Sequence, residues 1–109
     1  MNRGQDFGNP FRATGTAIST SATASITKGT GTTQIFITDI VASSDVGTAT
    51  VQIRDAAASI WEVTIAASSA GQPYEHVFGT PIAATGNVTV VIAGASNSLK
   101  AVNVSGYAL

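Results

Sequence analysis

General acid–base chemistry in this 109-residue chain would fall to His76, its one histidine, in the run Pro73-Tyr74-Glu75-His76-Val77-Phe78. A general base needs a partner that orients it. In an extended run the adjacent Glu75 points to the opposite face, so His76 reads as a structural or surface residue. There is no Gly-x-Ser-x-Gly elbow for a nucleophile. Gly29-Thr30-Gly31 lacks the further glycine and lysine of a phosphate loop and reads as a turn. Asp39, Asp45 and Asp55 fall on a strand, a loop and a hairpin end, without the spacing of a calcium loop. They read as solvated or turn-forming carboxylates. With no cysteine and one histidine, thiol catalysis and zinc, iron–sulfur or multi-histidine metal sites are excluded. The reading therefore names no catalytic residue, metal or cofactor and expects no enzyme. Asn87-Val88-Thr89 and Asn103-Val104-Ser105 match the glycosylation sequon, but both fall on expected strands and read as accidental. The lone Trp61 could stack on a sugar. Its alternation partners Val63 and Ile65 are apolar, so Trp61, Val63 and Ile65 are read together as core anchors, with Val51 and Ile53 opposite. Tyr74 and Phe78 are weaker candidates for the stacking role.

The elements that hold these residues follow from composition and period. Charged residues make up 10% of the chain, against about 25% in an average protein. Ala (18), Thr (15), Ser (11) and Gly (11) fill half of it. Val and Ile supply 10 each and Leu only 2, which favours strands over helices. A net charge of −1 leaves no basic surface for duplex nucleic acid. No apolar run approaches the roughly 18 residues of a membrane helix. The N-terminus carries no signal-peptide core, so an unprocessed protein with no membrane partner is expected.

Period-2 alternation begins at Thr16. Ile18, Ala22, Ala24 and Ile26 share one face of a strand expected over 16–27. The run 33–41 is strongly apolar, with Ile35, Ile37 and Val41 on one face and Phe36 and Ile40 on the other. Residues 48–55 alternate cleanly, with Ala49, Val51 and Ile53 inward. With 60–65 they form a hairpin. Short strands are expected at 74–78, 88–93 and 99–109, with 79–86 as a connection. Seven or eight short strands separated by turn residues imply two packed antiparallel sheets. The expectation is an all-β, jelly-roll-like sandwich over residues 16–109.

Residues 1–15 show no such period. They hold Phe7, Pro10 and Phe11, flanked by Arg3 and Arg12. Aromatic and arginine side chains commonly anchor protein interfaces. The segment is read as an irregular arm that docks on a neighbouring subunit, and residues 1–13 are expected to be removable without unfolding the sandwich.

The stretch 33–109 resembles small jelly-roll proteins of tailed-phage virions. The residues that carry this are Gln34-Ile-Phe-Ile-Thr-Asp-Ile-Val41, Thr50-Val-Gln-Ile-Arg-Asp55 with Ile60-Trp-Glu62, Phe78-Gly-Thr-Pro-Ile82, Thr85-Gly-Asn87, Val90, Ile92 and Val102-Asn-Val-Ser-Gly-Tyr107. This order is similar to that of head-decoration (cement) proteins and fibre-associated domains. The resemblance implies a homotrimer on the capsid surface of the virion. Its partner would be the major capsid protein, reached through the arm residues Arg3, Phe7, Pro10, Phe11 and Arg12. The alternative is a receptor-binding module of a tail fibre that contacts glycan. A glycan binder would expose Trp61, Tyr74 and Tyr107 in a shallow groove, whereas a cement protein would bury them.

Overall fold

The computed structural model describes residues 9–18, 20–29, 31, 34–67 and 73–109. Within them lie eight strands: β1 (Asn9–Ile18), β2 (Ser21–Ile26), β3 (Ile35–Ser44), β4 (Ala49–Asp55), β5 (Ala58–Ile65), β6 (Tyr74–Ala84), β7 (Val88–Gly94) and β8 (Leu99–Ala108). The first sheet has the order β1-β8-β3-β6 and the second β2-β7-β4-β5, and every pairing is antiparallel. Apart from the β4–β5 hairpin, consecutive strands alternate between the sheets in a jelly-roll-like sandwich, with the first and last strands side by side.

The core lies between the sheets. The first sheet contributes Ile35, Ile37, Ile40, Val102 and Val104, and the second contributes Val51, Ile53, Val88, Val90 and Ile92, all buried. Each such side chain adds roughly 1.5–3 kcal/mol by leaving water. The inward phase of β4 and β7 is the one the alternation predicts, and the β4–β5 hairpin forms with Ile53 opposite Trp61 and Val51 opposite Val63.

Four segments differ from the sequence expectation. First, residues 9–15 are not irregular. They form the front of β1, paired with β8 from Asn9↔Ala108 to Gly15↔Val102. The rest of the expected arm, residues 1–8, lies outside the described residues. Second, the strand expected over 16–27 is two strands in different sheets. The chain crosses between them around Thr20, which inverts the phase and leaves Ile18 69% exposed. Third, the register of β3 shifts between Ile37 and Asp39 against both its neighbours. One extra residue at that β-bulge turns Ile40 inward beside Ile35 and Ile37 and leaves Val41 half-buried. β6 also continues through Pro81, which an edge strand tolerates because its free side needs no N–H.

The two long sides of the sandwich are built differently. At the β1–β2 side the backbones nearly touch, and a Cβ on Gly15 would stand 2.2 Å from the Thr23 carbonyl oxygen. At the β5–β6 side large rings hold the sheets apart. Trp61 packs edge-on against Phe78, with ring centres 5.2 Å apart, and lies 5.5 Å from His76.

Both ends are tied by polar groups. At one end the Asp55 carboxylate accepts hydrogen bonds from the backbone N–H groups of Thr85 (3.1 Å) and Gly86 (3.0 Å). The Ala56 N–H donates to the Asn87 carbonyl at 2.9 Å. Ala56 has φ 55°, a left-handed conformation that L-residues avoid at a cost of roughly 1–2 kcal/mol. Ala56→Gly relieves this cost, partly offset by the larger chain entropy of glycine. It is expected to raise stability by up to about 1 kcal/mol in a urea titration, with the hairpin intact. An unchanged or lower midpoint would show that the turn holds no such strain.

Candidate functional site

Two groups of side chains have the makings of a recognition site. The first lies at the open side of the sandwich. Extended backbone projects Tyr74, His76 and Phe78 from one face of β6, and Trp61 meets them from β5. The His76 ring centre is 4.5 Å from that of Phe78, and His76 Nδ1 is hydrogen-bonded to the Tyr74 hydroxyl at 3.2 Å. Glu75 is exposed on the opposite face, as strand alternation requires. His76 therefore has a phenol and rings around it, and the neighbouring carboxylate does not orient it.

The anchors read from the sequence separate here. Ile65 is 5% exposed and belongs to the core. Trp61 and Val63 are half-buried and pack against it from outside. The reason is their place on β5, the edge of the second sheet, where no further strand covers them. Trp61 forms a side wall of the sandwich, with part of its surface in water.

The second group lies on the outer face of the first sheet. Across β1, β8, β3 and β6 the structure aligns Pro10, Tyr107, Phe36 and Ala83 in one row. The next row holds Arg12, Ser105, Asp39 and Val77, and the one beyond it Thr14, Asn103, Val41 and Glu75. Tyr107 stacks on Phe36 with ring centres 5.0 Å apart and planes 19° from parallel. Of the expected arm residues, Pro10 and Arg12 are exposed on this face, while Phe11 turns inward and packs against the core. Arg3 and Phe7 lie outside the described residues. A dent of about 70 Å³ sits on the same face, between Thr14, Val41, Ser43, Ala101 and Asn103. It is far below the few hundred Å³ of a small-molecule site.

The aspartates have local duties. Asp45 Oδ1 accepts from the Ser98 hydroxyl (3.0 Å) and the Leu99 N–H (2.7 Å), tying the β3–β4 loop to the start of β8. Asp39 accepts from the Thr38 hydroxyl at the β3 bulge, at 2.9 Å. Among the described residues no group of three His, Cys, Asp or Glu could hold a metal ion.

One cluster went unread in the sequence. Ser44, Ser98 and Lys100 are all fully buried at the Asp45 end. The Ser44 and Ser98 hydroxyls are 2.9 Å apart, and the Lys100 ammonium donates to the Ala95 carbonyl and to that of Ser98 (3.1 Å). The signal was present: Lys100 shares its strand phase with Val102 and Val104, and that phase points inward. The ammonium closes the β7–β8 turn by satisfying carbonyls that burial would otherwise orphan.

The chain matches no family model, no curated protein and no solved structure. The class it defines is architectural, an eight-stranded antiparallel β-sandwich.

Proposed function

We propose that this chain is a structural protein of a virion, a decoration protein that sits on the head and bridges subunits of the major capsid protein. The observation that carries the reading is the strand order. The residues that resemble small virion proteins form β3–β8 of an eight-stranded antiparallel, jelly-roll-like sandwich, and viral capsid domains recurrently use this build. A decoration protein works by contact area. The described surface offers broad, sparsely charged sheet faces, with Asp45 and Asp55 occupied in turns. In this reading the capsid is met by residues 1–8, with Arg3 and Phe7. Phe11 supports β1.

The test is co-sedimentation with empty heads of the virus that encodes the chain. The full chain is expected to pellet with heads, and a variant lacking residues 1–8 to pellet far less. A chain that stays in the supernatant at every concentration overturns the reading. One observation favours a second reading, a glycan-binding module of a tail fibre: Trp61, Tyr74 and His76 form a half-exposed aromatic wall. Retention on host glycan, lost in Trp61→Ala, together with no binding to heads, would select it.

A further inference from the structure

The two outer faces of the sandwich are unlike. On the second sheet the outward residues are mostly hydroxyl-bearing or polar, and they satisfy one another. Gln52 donates to Glu62 at 2.6 Å, Arg54 donates to Gln52 at 2.6 and 2.9 Å, and the hydroxyls of Thr50 and Thr64 lie 3.4 Å apart. The first sheet presents Ile18 and Leu99 side by side, Val77 at 77% exposure, Leu109, and the stacked Phe36–Tyr107 pair. These apolar side chains stand at both ends of the face and on its β6 edge, with polar rows between them, and exposed apolar surface rimmed by polar groups is typical of an interaction surface.

Charge indicates what covers it. Among the described residues, Arg12 and Glu75 are the charged side chains with neither a hydrogen bond nor an ion pair. Both are exposed on this same face, on its opposite edge strands β1 and β6. They have opposite signs and are three strand spacings apart, about 14 Å, too far to meet within one chain.

We propose that a second copy of this chain covers the outer face of the first sheet, related by a two-fold axis that runs along the strands between β8 and β3. Such an axis lays β1 of each copy over β6 of the other. Arg12 then stands over Val77, one strand spacing from Asp39 and one row, about 6.6 Å, from Glu75 of the other copy. Tyr107 of each copy faces Phe36 of the other on the axis, at one end of the contact. A two-fold axis across the strands would place β1 on β1 and β6 on β6, bringing Arg12 to Arg12 and Glu75 to Glu75. The charges select the first arrangement. The face measures about 19 Å by 30 Å, roughly 600 Å² in projection. With side-chain relief it approaches the about 800 Å² per partner of a stable interface. A face that covers itself is isologous and needs a two-fold axis, so the state is a dimer and not the trimer the resemblance implies.

The contact belongs to the chain alone, so its test needs no virion and its failure leaves the head-binding test standing. Sedimentation equilibrium of the full chain at micromolar concentration is expected to give twice the 10.9 kDa chain mass. Arg12→Glu and Glu75→Arg should each raise the dimer dissociation constant by about tenfold or more, equivalent to 1.4 kcal/mol. The double variant should restore it. Val77→Lys should yield monomer, whereas Val91→Lys, on the outer face of the second sheet, should leave the dimer intact. Circular dichroism melts would confirm that each variant is folded. A folded wild-type monomer or trimer overturns the proposal. So does a dimer indifferent to Arg12→Glu and Val77→Lys.

Discussion

Gly106→Ala is expected to destabilise the protein by about 3 kcal/mol or more. Gly106 lies in β8, between Phe11 of β1 and Ile37 of β3. A Cβ there would stand 1.9 Å from the Phe36 carbonyl oxygen and 2.9 Å from the Phe11 ring. The nearer obstacle is backbone, held in the β3–β8 ladder beside the bulge. It cannot swing aside as a side chain could. Overpacking a core costs about 1–3 kcal/mol when side chains absorb it, and more when main chain must move. Against a total stability of about 5–15 kcal/mol, such a loss should lower Tm by roughly 10–20 °C. Gly15→Ala should act similarly, through the Thr23 carbonyl. A Tm within a few degrees of wild type for Gly106→Ala would mean that β3 and β8 can part there without cost.

Removing residues 1–13 is expected to unfold the protein or leave it barely stable, contrary to the reading of that segment as a dispensable arm. The deletion takes the first half of β1, from Asn9↔Ala108 to Ala13↔Val104. It strips the cover from β8, at the centre of the first sheet. The ladder bonds contribute about 1 kcal/mol each, and Phe11 adds about 2 kcal/mol by packing against the core. The sum is of the order of the whole stability. Removing residues 1–8 takes away no part of β1 and should leave the urea midpoint nearly unchanged. Two deletions of equal stability would contradict the role assigned to β1.

Sequence reasoning succeeded where the signal is local. Residues 49–55 and 60–65 alternate about a short turn, and both the hairpin and its inward face are present. Asp45 and Asp55 stood beside turn residues, and both cap turns. It missed what distant partners decide. Asn9–Gly15 has a poor strand composition and becomes a strand because β8, some ninety residues later, supplies its ladder. The inward position of Ile40 depends on the bulge at Thr38, which strict alternation cannot show. Trp61 has the expected face, yet its half-burial follows from the edge position of β5, a property of the sheet order. The Phe36–Tyr107 stack joins residues seventy-one apart in sequence through one register.

That β8 lies between β1 and β3 also bears on how the protein comes into being. During synthesis the second sheet can assemble once β7 has emerged, since all four of its strands precede residue 95. The first sheet cannot. Until residues 99–108 have left the ribosome, β1 has no neighbour and one side of β3 stays bare. For that interval the nascent chain carries unpaired strand edges and an uncovered apolar layer, the condition that favours pairing with the wrong chain. Completion then waits on closing the longest loop in the molecule, between β1 and β8, which is slow to form. The half-made sandwich is the stage of its life at which a chaperone has the most to shield.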